Sequence, residues 1–555
     1  MKVVNTTIQN RTKQSKLNSQ HILPTHYITS QSTSSFLKSL PLGLYSKEQI
    51  LFSIGFQLLP HPKTPTVQHF LKGYEQPIIE LDNIPQDEFD LLGAAYQYLN
   101  SKRENLESGS YYTGEVIAKD LIADLDFSDG QTIFDPACGS GAFLFQSSAA
   151  ENQIFGVDSD PLAVMIAKFN YFRKFPKALV PNLYTEDFFT WYSKNSDCKF
   201  DYVIGNPPFG ANLDMSRIPS LHITSGESFS YFLEFGVNLL KDSGVLRFIV
   251  PESLLNVKRH SDARSFLLNH TNLRRIKKYE KRFTGVMSDI YLIEIGNKKS
   301  SHVIFDAKTS ARIPKNLYWD FVNHIFVHLT KADVSLISKV KALKKYDLGN
   351  SVFGLGVVTG DNKTKLHKTK QKGFEAIYTG KEVQKYSLSL PNNFLKFDRT
   401  TLQQVAPDDI YRAPMKLVYK TICQRLRFAL DQSSSLTSNS ANILIPNVPG
   451  YGILSVLAFL NSDLYSFLHL KLSGGVKKVG KENLQSLPFP KLSIEQNKNL
   501  ERLCLEAIKS ERDEDLQLYI HSEIFGLSES ELNYIRSQLG QDQSDLEPDE
   551  FDLAG

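Results

Sequence analysis

Asn206-Pro207-Pro208-Phe209 could hold an amine and face it toward an electrophile. The Asn206 side-chain oxygen and the Pro207 carbonyl can accept an amine's two hydrogens and so aim its lone pair. The paired prolines fix φ at two positions and withdraw two backbone donors, which leaves rigid acceptors. Phe209 supplies a ring on which a planar base can stack. No strong base is needed, because the proton can leave during or after transfer, and preorganised dipoles with near-attack geometry carry the rate.

A second segment, 67 residues before Asn206 when counted from Gly139, could seat the electrophile. It reads Phe134-Asp135-Pro136-Ala137-Cys138-Gly139-Ser140-Gly141-Ala142-Phe143. Asp135 closes an apolar run, and Gly139 and Gly141 let the backbone turn tightly and approach a ligand. Asp158 ends the next run, 23 residues after Asp135, where a carboxylate can accept both hydroxyls of a ribose. Asp187 follows a third run and is placed for the amino group of an adenine, with Phe188 beside the ring. A nicotinamide cofactor would want a third glycine in register, and the run Cys138-Gly139-Ser140-Gly141-Ala142-Phe143 offers none. S-adenosylmethionine, which has no phosphate, suits the segment better.

The elements that must position these residues alternate as in a wound α/β sheet. Strands are expected at 132–136, 154–158, 183–186, 201–205, 245–250, 272–279 and 289–296. Helices fit 88–103, 115–125, 141–149, 161–173, 228–241 and 260–269. The last two strands are joined by a loop at 280–288, which predicts an antiparallel pair at the sheet edge. The expected fold class is α/β, a seven-stranded Rossmann-like sheet joined to an α+β second domain. The expected domains are an N-terminal helical or extended segment at 1–87, the sheet domain at 88–330, the second domain at 331–490, and a helical segment with an acidic tail at 491–555. Within the second domain one apolar helix is expected at 451–470.

At 555 residues the chain is too long for one core. Hydrophobic residues make up 41% and charged residues 22%, as in ordinary globular proteins. No window is apolar for long enough to span a bilayer, and the polar start has no signal-peptide core, so a cytoplasmic protein is expected. Cys138, Cys198, Cys423 and Cys504 are scattered without CxxC pairing and read as reduced thiols, with no metal site expected. The net charge of +3 hides an asymmetry, because residues 331–490 hold 23 Lys+Arg against 11 Asp+Glu and so carry +12. Such a block suits a phosphate backbone. A duplex base would have to be flipped out to reach Asn206, and Phe283 is a candidate second stacking wall beside Phe209.

These residues resemble the gamma-type N6-adenine DNA methyltransferases of restriction–modification systems, over about 88–490. Gly109-Ser110-Tyr111-Tyr112-Thr113-Gly114 is similar to the family's Tyr-Thr-Pro cofactor motif, with Gly114 where proline is usual. The resemblance implies cofactor contacts at Thr113, Asp135, Ala137, Gly139, Asp158, Asp187 and Phe188, and a catalytic role for Asn206, Pro207 and Phe209. It implies S-adenosylmethionine as cofactor, double-stranded DNA as substrate, and a separately encoded restriction endonuclease as partner. Gly356 to Lys363, Lys416 to Tyr419, and the stretch from Leu460 to Pro490 resemble the family's target-recognition domain. Cytosine N4, protein glutamine or RNA as acceptor, or a silent recognition subunit serving a nuclease, are the alternatives. Cytosine C5 chemistry would need a nucleophilic Pro-Cys pair, and none of the four cysteines follows a proline.

Overall fold

The computed structural model describes residues 23–540 except 26, 29, 62, 75–76, 87, 101–112, 211–217, 219–221, 225–226, 280–288, 298–301, 320–327 and 474–476. The chain divides into two compact units, Met1–Lys315 and Asn316–Gly555.

The first unit is built on nine strands: β1 Ile133–Asp135, β2 Ile154–Asp158, β3 Asn182–Thr185, β4 Phe200–Gly205, β5 Leu240–Pro251, β6 Asn272–Tyr279, β7 Ile290–Gly296, β8 Val303–Asp306 and β9 Ala311–Pro314. Their order is β3-β2-β1-β4-β5-β7-β6-β8-β9. The first five strands run parallel to their neighbours, because helices cross between them. Strand β7 then inserts antiparallel between β5 and β6, in the antiparallel pairing with β6 that the sequence leads one to expect. The expected seven-stranded sheet is therefore extended, and the β6–β7 pair is not its edge. Hairpin β8–β9 adds to β6 and turns at Ser310, which has φ 53°. Its two four-residue strands alternate buried with partly or fully exposed positions, too brief a pattern to stand out in the sequence.

Strand β1 is buried throughout, and the Phe134 ring stacks on Phe200 at 4.6 Å and Trp191 at 4.9 Å. A second aromatic cluster includes rings of the N-terminal segment. Helices Gln31–Ser39, Lys47–Leu58 and Pro65–Lys72 start at Ser30, Ser46 and Thr64, each of whose side chains accepts a hydrogen bond from the first turn. Phe52 and Phe70 meet Phe169 edge-on at 5.5 and 5.0 Å, and Phe169 belongs to helix Pro161–Lys174. The segment is thus part of the same core as the sheet's crossover helices.

The second unit holds a four-stranded sheet in the order Val352–Gly354, Ala441–Ile445, Lys416–Lys420, Phe428–Asp431, with all pairs antiparallel. The apolar stretch expected as one helix is two, Ile453–Leu460 and Asp463–Leu472, bent by 64°. The break has a cause: the Asn461 side chain leaves the helix direction to bond both Phe428 N and Phe428 O at 2.9 Å, and Ser462 caps the next helix. Among the described residues no single helix is long and apolar enough to cross a membrane.

Replacing Phe169 by alanine removes the ring between Phe52 and Phe70. It should destabilise the first unit by about 3–5 kcal/mol, read as an earlier denaturant midpoint for that unit's transition. An unchanged midpoint would mean that the N-terminal helices do not share this core.

Candidate active site

The loops after β1 and β4 emerge side by side, because those two strands are parallel neighbours. In sequence the chain winds outward from β1 to β3 and then returns to the other side of β1 with β4. Such a reversal of winding opens a crevice at the strands' carboxyl ends, the usual ligand position in wound sheets.

On the β1 side, Asp135 is fully buried. Its Oδ1 accepts from Ala137 N at 2.9 Å, while Oδ2 has no hydrogen-bond partner among the described residues. Burial pushes this carboxyl well above the usual carboxylate range, the Ala137 N–H opposes the shift, and nearby Asp158 adds to it. Asp158 stands at the end of β2. Its Oδ2 accepts from Gly139 N at 2.8 Å and its Oδ1 from Asp160 N at 2.9 Å. Burial raises it to about 6 against the pull of those two N–H groups. Gly139 and Gly141 adopt φ 53° and 76°, left-handed values that let the loop wrap the end of β1.

Asp187 sits after β3 as the cap of helix Phe188–Asn195, its Oδ1 accepting from Thr190 N at 3.0 Å and Thr190 Oγ1 at 3.1 Å. It therefore has a structural task as well as a position at the strand end. Phe188 is 3% exposed and stacks on Phe232 at 4.8 Å, so most of its ring is committed to the core.

On the β4 side, Pro207 is buried and Asn206, Pro208 and Phe209 are half-buried. The Asn206 Nδ2 donates to Thr113 Oγ1 at 3.2 Å. Thr113 is 2% exposed and precedes helix Glu115–Ile122. Gly114, the cap of that helix, has φ −61°, which is the value a proline would impose, so glycine here keeps the backbone of the usual motif. The structure thus brings Thr113, Asp135, Ala137, Gly139 and Asp158 of the expected set to the ends of β1, β2 and β4. Phe283 lies outside the described residues.

Several supporting residues escaped the sequence reading. Asp90, 4% exposed, accepts from Tyr27 Oη at 2.6 Å, Gly93 N at 2.9 Å, Asn170 Nδ2 at 3.1 Å and the Ser140 hydroxyl. It joins the N-terminal segment, helix Leu91–Leu99, helix Pro161–Lys174 and the loop after β1. Tyr96 of the same Leu91–Leu99 helix donates to Asp160, beside Asp158. Ser228, the first residue of helix Ser228–Asn238, donates to the Pro208 carbonyl, and Phe229 meets Phe209 edge-on at 6.0 Å. Only Asp90 left a trace in the sequence, as an acid just before an apolar helical run.

Comparison with known proteins places this geometry. Residues 152–283 match the Eco57I restriction-modification methylase family, and residues 375–489 match the TaqI-like C-terminal specificity domain. Over 331 residues the chain is 23% identical to the Type II methyltransferase M.VspI of Vibrio sp. (strain 343), a match covering 57% of this chain and 80% of that protein. It is 31% identical over 137 residues to the tRNA1(Val) (adenine(37)-N6)-methyltransferase of Actinobacillus succinogenes, covering 24% of this chain and 57% of the other. In fold it resembles the Type IIL restriction-modification enzyme MmeI, solved in complex with DNA, with a TM-score of 0.53 and 13% identity over 94% of this chain and 90% of that one. The chain therefore joins a restriction–modification methyltransferase domain to a specificity domain.

Asp90→Ala should cost roughly 3 kcal/mol or more, because several buried donors lose one shared acceptor. Chemical denaturation checks this. A loss below about 1 kcal/mol would mean that the four donors find water or each other instead.

Proposed function

We propose that the protein methylates the N6 amino group of adenine at a specific site in duplex DNA, using S-adenosylmethionine. It would act as the modification component of a restriction–modification system beside a separately encoded endonuclease. The observation that carries this reading is the adjacency of the Asp135–Asp158 cradle and the Asn206 amide at the crevice between β1 and β4.

The residues present fit the cofactor. A buried carboxylate with one oxygen unpartnered among the described residues, Asp135, suits an ammonium group, whose charge would offset the cost of burying an acid. Each Asp158 oxygen already accepts one backbone N–H and keeps lone pairs for a ribose hydroxyl. When bound, S-adenosylmethionine supplies a methyl group on a positively charged sulfur. The Asn206 side-chain oxygen and the Pro207 carbonyl accept the two hydrogens of the adenine amine and direct its lone pair. The Ser228 hydroxyl fixes the Pro208 carbonyl, and with it the direction in which the tetrapeptide leaves β4. Phe209, braced by Phe229, offers a ring to the extruded base.

An RNA substrate is the second reading, favoured by the tRNA methyltransferase relative. The specificity-domain match and the +12 charge of residues 331–490 favour DNA. Cytosine N4 is the remaining amine within DNA.

Long-read modification mapping of DNA from cells expressing the protein should report N6-methyladenine at one sequence context. Asn206→Ala should abolish it, by at least ~100-fold in rate, while S-adenosylmethionine affinity by calorimetry stays near normal. Signal on cytosine, or on RNA alone, would overturn the substrate. Equal losses of affinity and rate would overturn the role of Asn206.

Asp158 also predicts a pH dependence. Its folded value of about 6 lies above the ordinary carboxylate value, so the group is neutral below that pH and charged above it. Ribose hydroxyls donate best to the charged form, so cofactor affinity should rise as pH increases through about 6 and then level off. The break near that pH should vanish in Asp158→Asn. A break that survives the substitution would assign it to another group.

A further inference from the structure

We infer that the lysine-rich loop at 362–374 of the second unit is a clamp for the sugar–phosphate backbone of duplex DNA, one that adds affinity without choosing the sequence. This rests on the DNA reading above and names the surface that meets the duplex. The loop lies just before the segment matched to the specificity domain, residues 375–489.

Between Asn362 and Phe374 stand Lys363, Lys365, Lys368, Lys370 and Lys372, and no acid. The two flanking acids are committed elsewhere. Asp361 Oδ1 accepts from Lys363 N at 3.0 Å and Thr364 N at 3.3 Å, capping the short helix Asn362–Lys365, and Glu375 pairs with Arg412 at 2.7 Å. Lys363, Lys370 and Lys372 are exposed, and their amines have no partner among the described residues. By contrast, Lys385, Arg399, Arg412, Arg425 and Lys471 of the same unit each meet an acid. Like charges on one loop repel one another, and a polyanion laid against them removes that cost.

The loop keeps its shape without those three side chains. His367 N donates to Phe394 O at 2.9 Å, and Phe394 N donates to His367 O at 2.8 Å. The Phe374 ring meets the His367 ring edge-on at 4.9 Å. Phe374 N donates to Gln371 O at 3.1 Å across a turn in which Gly373 has φ 79°. Lys365 Nζ is committed to the Thr359 carbonyl at 2.6 Å and to that of Thr401, and Lys368 Nζ to Asn393 Oδ1 at 2.9 Å. The three remaining amines stand on a fixed frame, so little chain entropy is lost when a ligand is met.

The chemistry of the loop fits a phosphate backbone. No apolar residue lies between Lys368 and Gly373, so a protein groove or a bilayer finds nothing there to bury. A lysine amine is a compact point charge on a flexible stem, which suits a row of phosphates, whereas bases are best discriminated by bidentate pairs. The one amide among these residues, Gln371, has its Nε2 3.4 Å from His367 Nδ1. Phosphate contacts fix position and affinity and carry no sequence information.

No recognition sequence is needed for the test, because phosphates are common to every duplex. Binding of the full chain to a labelled duplex of arbitrary sequence is followed by anisotropy across a salt series. The triple variant Lys363→Gln, Lys370→Gln, Lys372→Gln should bind ~10- to 100-fold more weakly at about 0.1 M salt. Its log–log salt plot should be shallower by about 3, close to one for each lost phosphate contact. The variant Lys491→Gln, Lys498→Gln, Lys509→Gln removes the same charge from exposed positions of the C-terminal segment and should stay within about twofold of wild type. Equal weakening in both variants would overturn the inference in favour of net charge, and an unchanged slope in the first would overturn it outright. The single variants, each expected to make the slope shallower by about 1, carry the comparison if the triple lowers the melting temperature. Modification mapping with the first variant should show the wild-type sequence context at lower occupancy, and a changed context would overturn the claim that the loop leaves sequence choice alone. A wild-type chain that binds RNA and no duplex would overturn the DNA reading itself. A wild type that binds duplex no more tightly than the first variant would leave that reading standing and strike only the loop.

Discussion

The parallel pairing of β1 with β4 is the constraint on which the site depends. Ile133 faces Tyr202 and Phe134 faces Val203, so both strands end at the same level and release their loops into one crevice. Nothing in the two loops could achieve this alone, since about 70 residues separate them in sequence. The pairing demands a close approach. A Cβ at Gly205 would stand 2.8 Å from Asp135 Oδ1, nearer than carbon and oxygen can rest, so the last residue of β4 has no side chain. The acid of one loop and the start of the other are thereby brought into contact without an intervening group. Winding reversal, glycine and buried acid are three aspects of one arrangement.

Holding the β1 loop in its left-handed turn requires support from outside the sheet, and Asp90 provides it. One buried carboxylate accepting from Tyr27, Gly93, Ser140 and Asn170 fixes four chain segments at a single point. Several hydrogen bonds to a charged acceptor in a dry setting are individually stronger than neutral ones, and they polarise one another. The consequence reaches the site: movement of the N-terminal segment would be felt at Ser140, between the two left-handed glycines. The N-terminal segment therefore supports the loop that shapes the crevice, through Tyr27 and Asp90.

The sequence made the site legible to different depths. The residues of the donor and acceptor segments could be read because their chemistry is local: glycines at a turn, acids at the ends of apolar runs, prolines beside an amide. The first five strands were legible for the same reason, as buried runs between crossover helices. What could not be read was pairing across distance. The Thr113–Asn206 bond spans 93 positions and the Ser140–Asp90 bond 50, and neither leaves a periodic trace. Asp187 shows the converse. Its place at a strand end suggested a ligand contact, yet the same place is a helix start, and the cap it forms is a sufficient local reason for an acid there. The N-terminal segment was legible only as helical or extended, without helix bounds, and Pro65 opens one of its helices at the position where a missing N–H costs nothing.

Two fully buried aspartates differ in how the fold satisfies their charge. Asp431, in the second unit, is closed off by its neighbours. Lys416 Nζ lies 2.7 Å away, and Ser433 donates from both N and Oγ at 2.7 and 2.6 Å. Burial alone would raise it, but these donors hold it below the ordinary carboxylate value, so its charge is satisfied within the fold. Asp135 is equally buried, has one backbone donor, and is pushed the other way. A fold that needed only stability would have replaced it by an apolar residue or supplied a partner, since an uncompensated buried acid is costly. At the mouth of the β1–β4 crevice its Oδ2 is unpartnered among the described residues, a local cost to stability that an ammonium group would offset under the proposed function. Asp158 is likewise raised by burial, to about 6, in spite of two N–H donors. Both raised acids stand at the ends of neighbouring strands, Asp135 on β1 and Asp158 on β2.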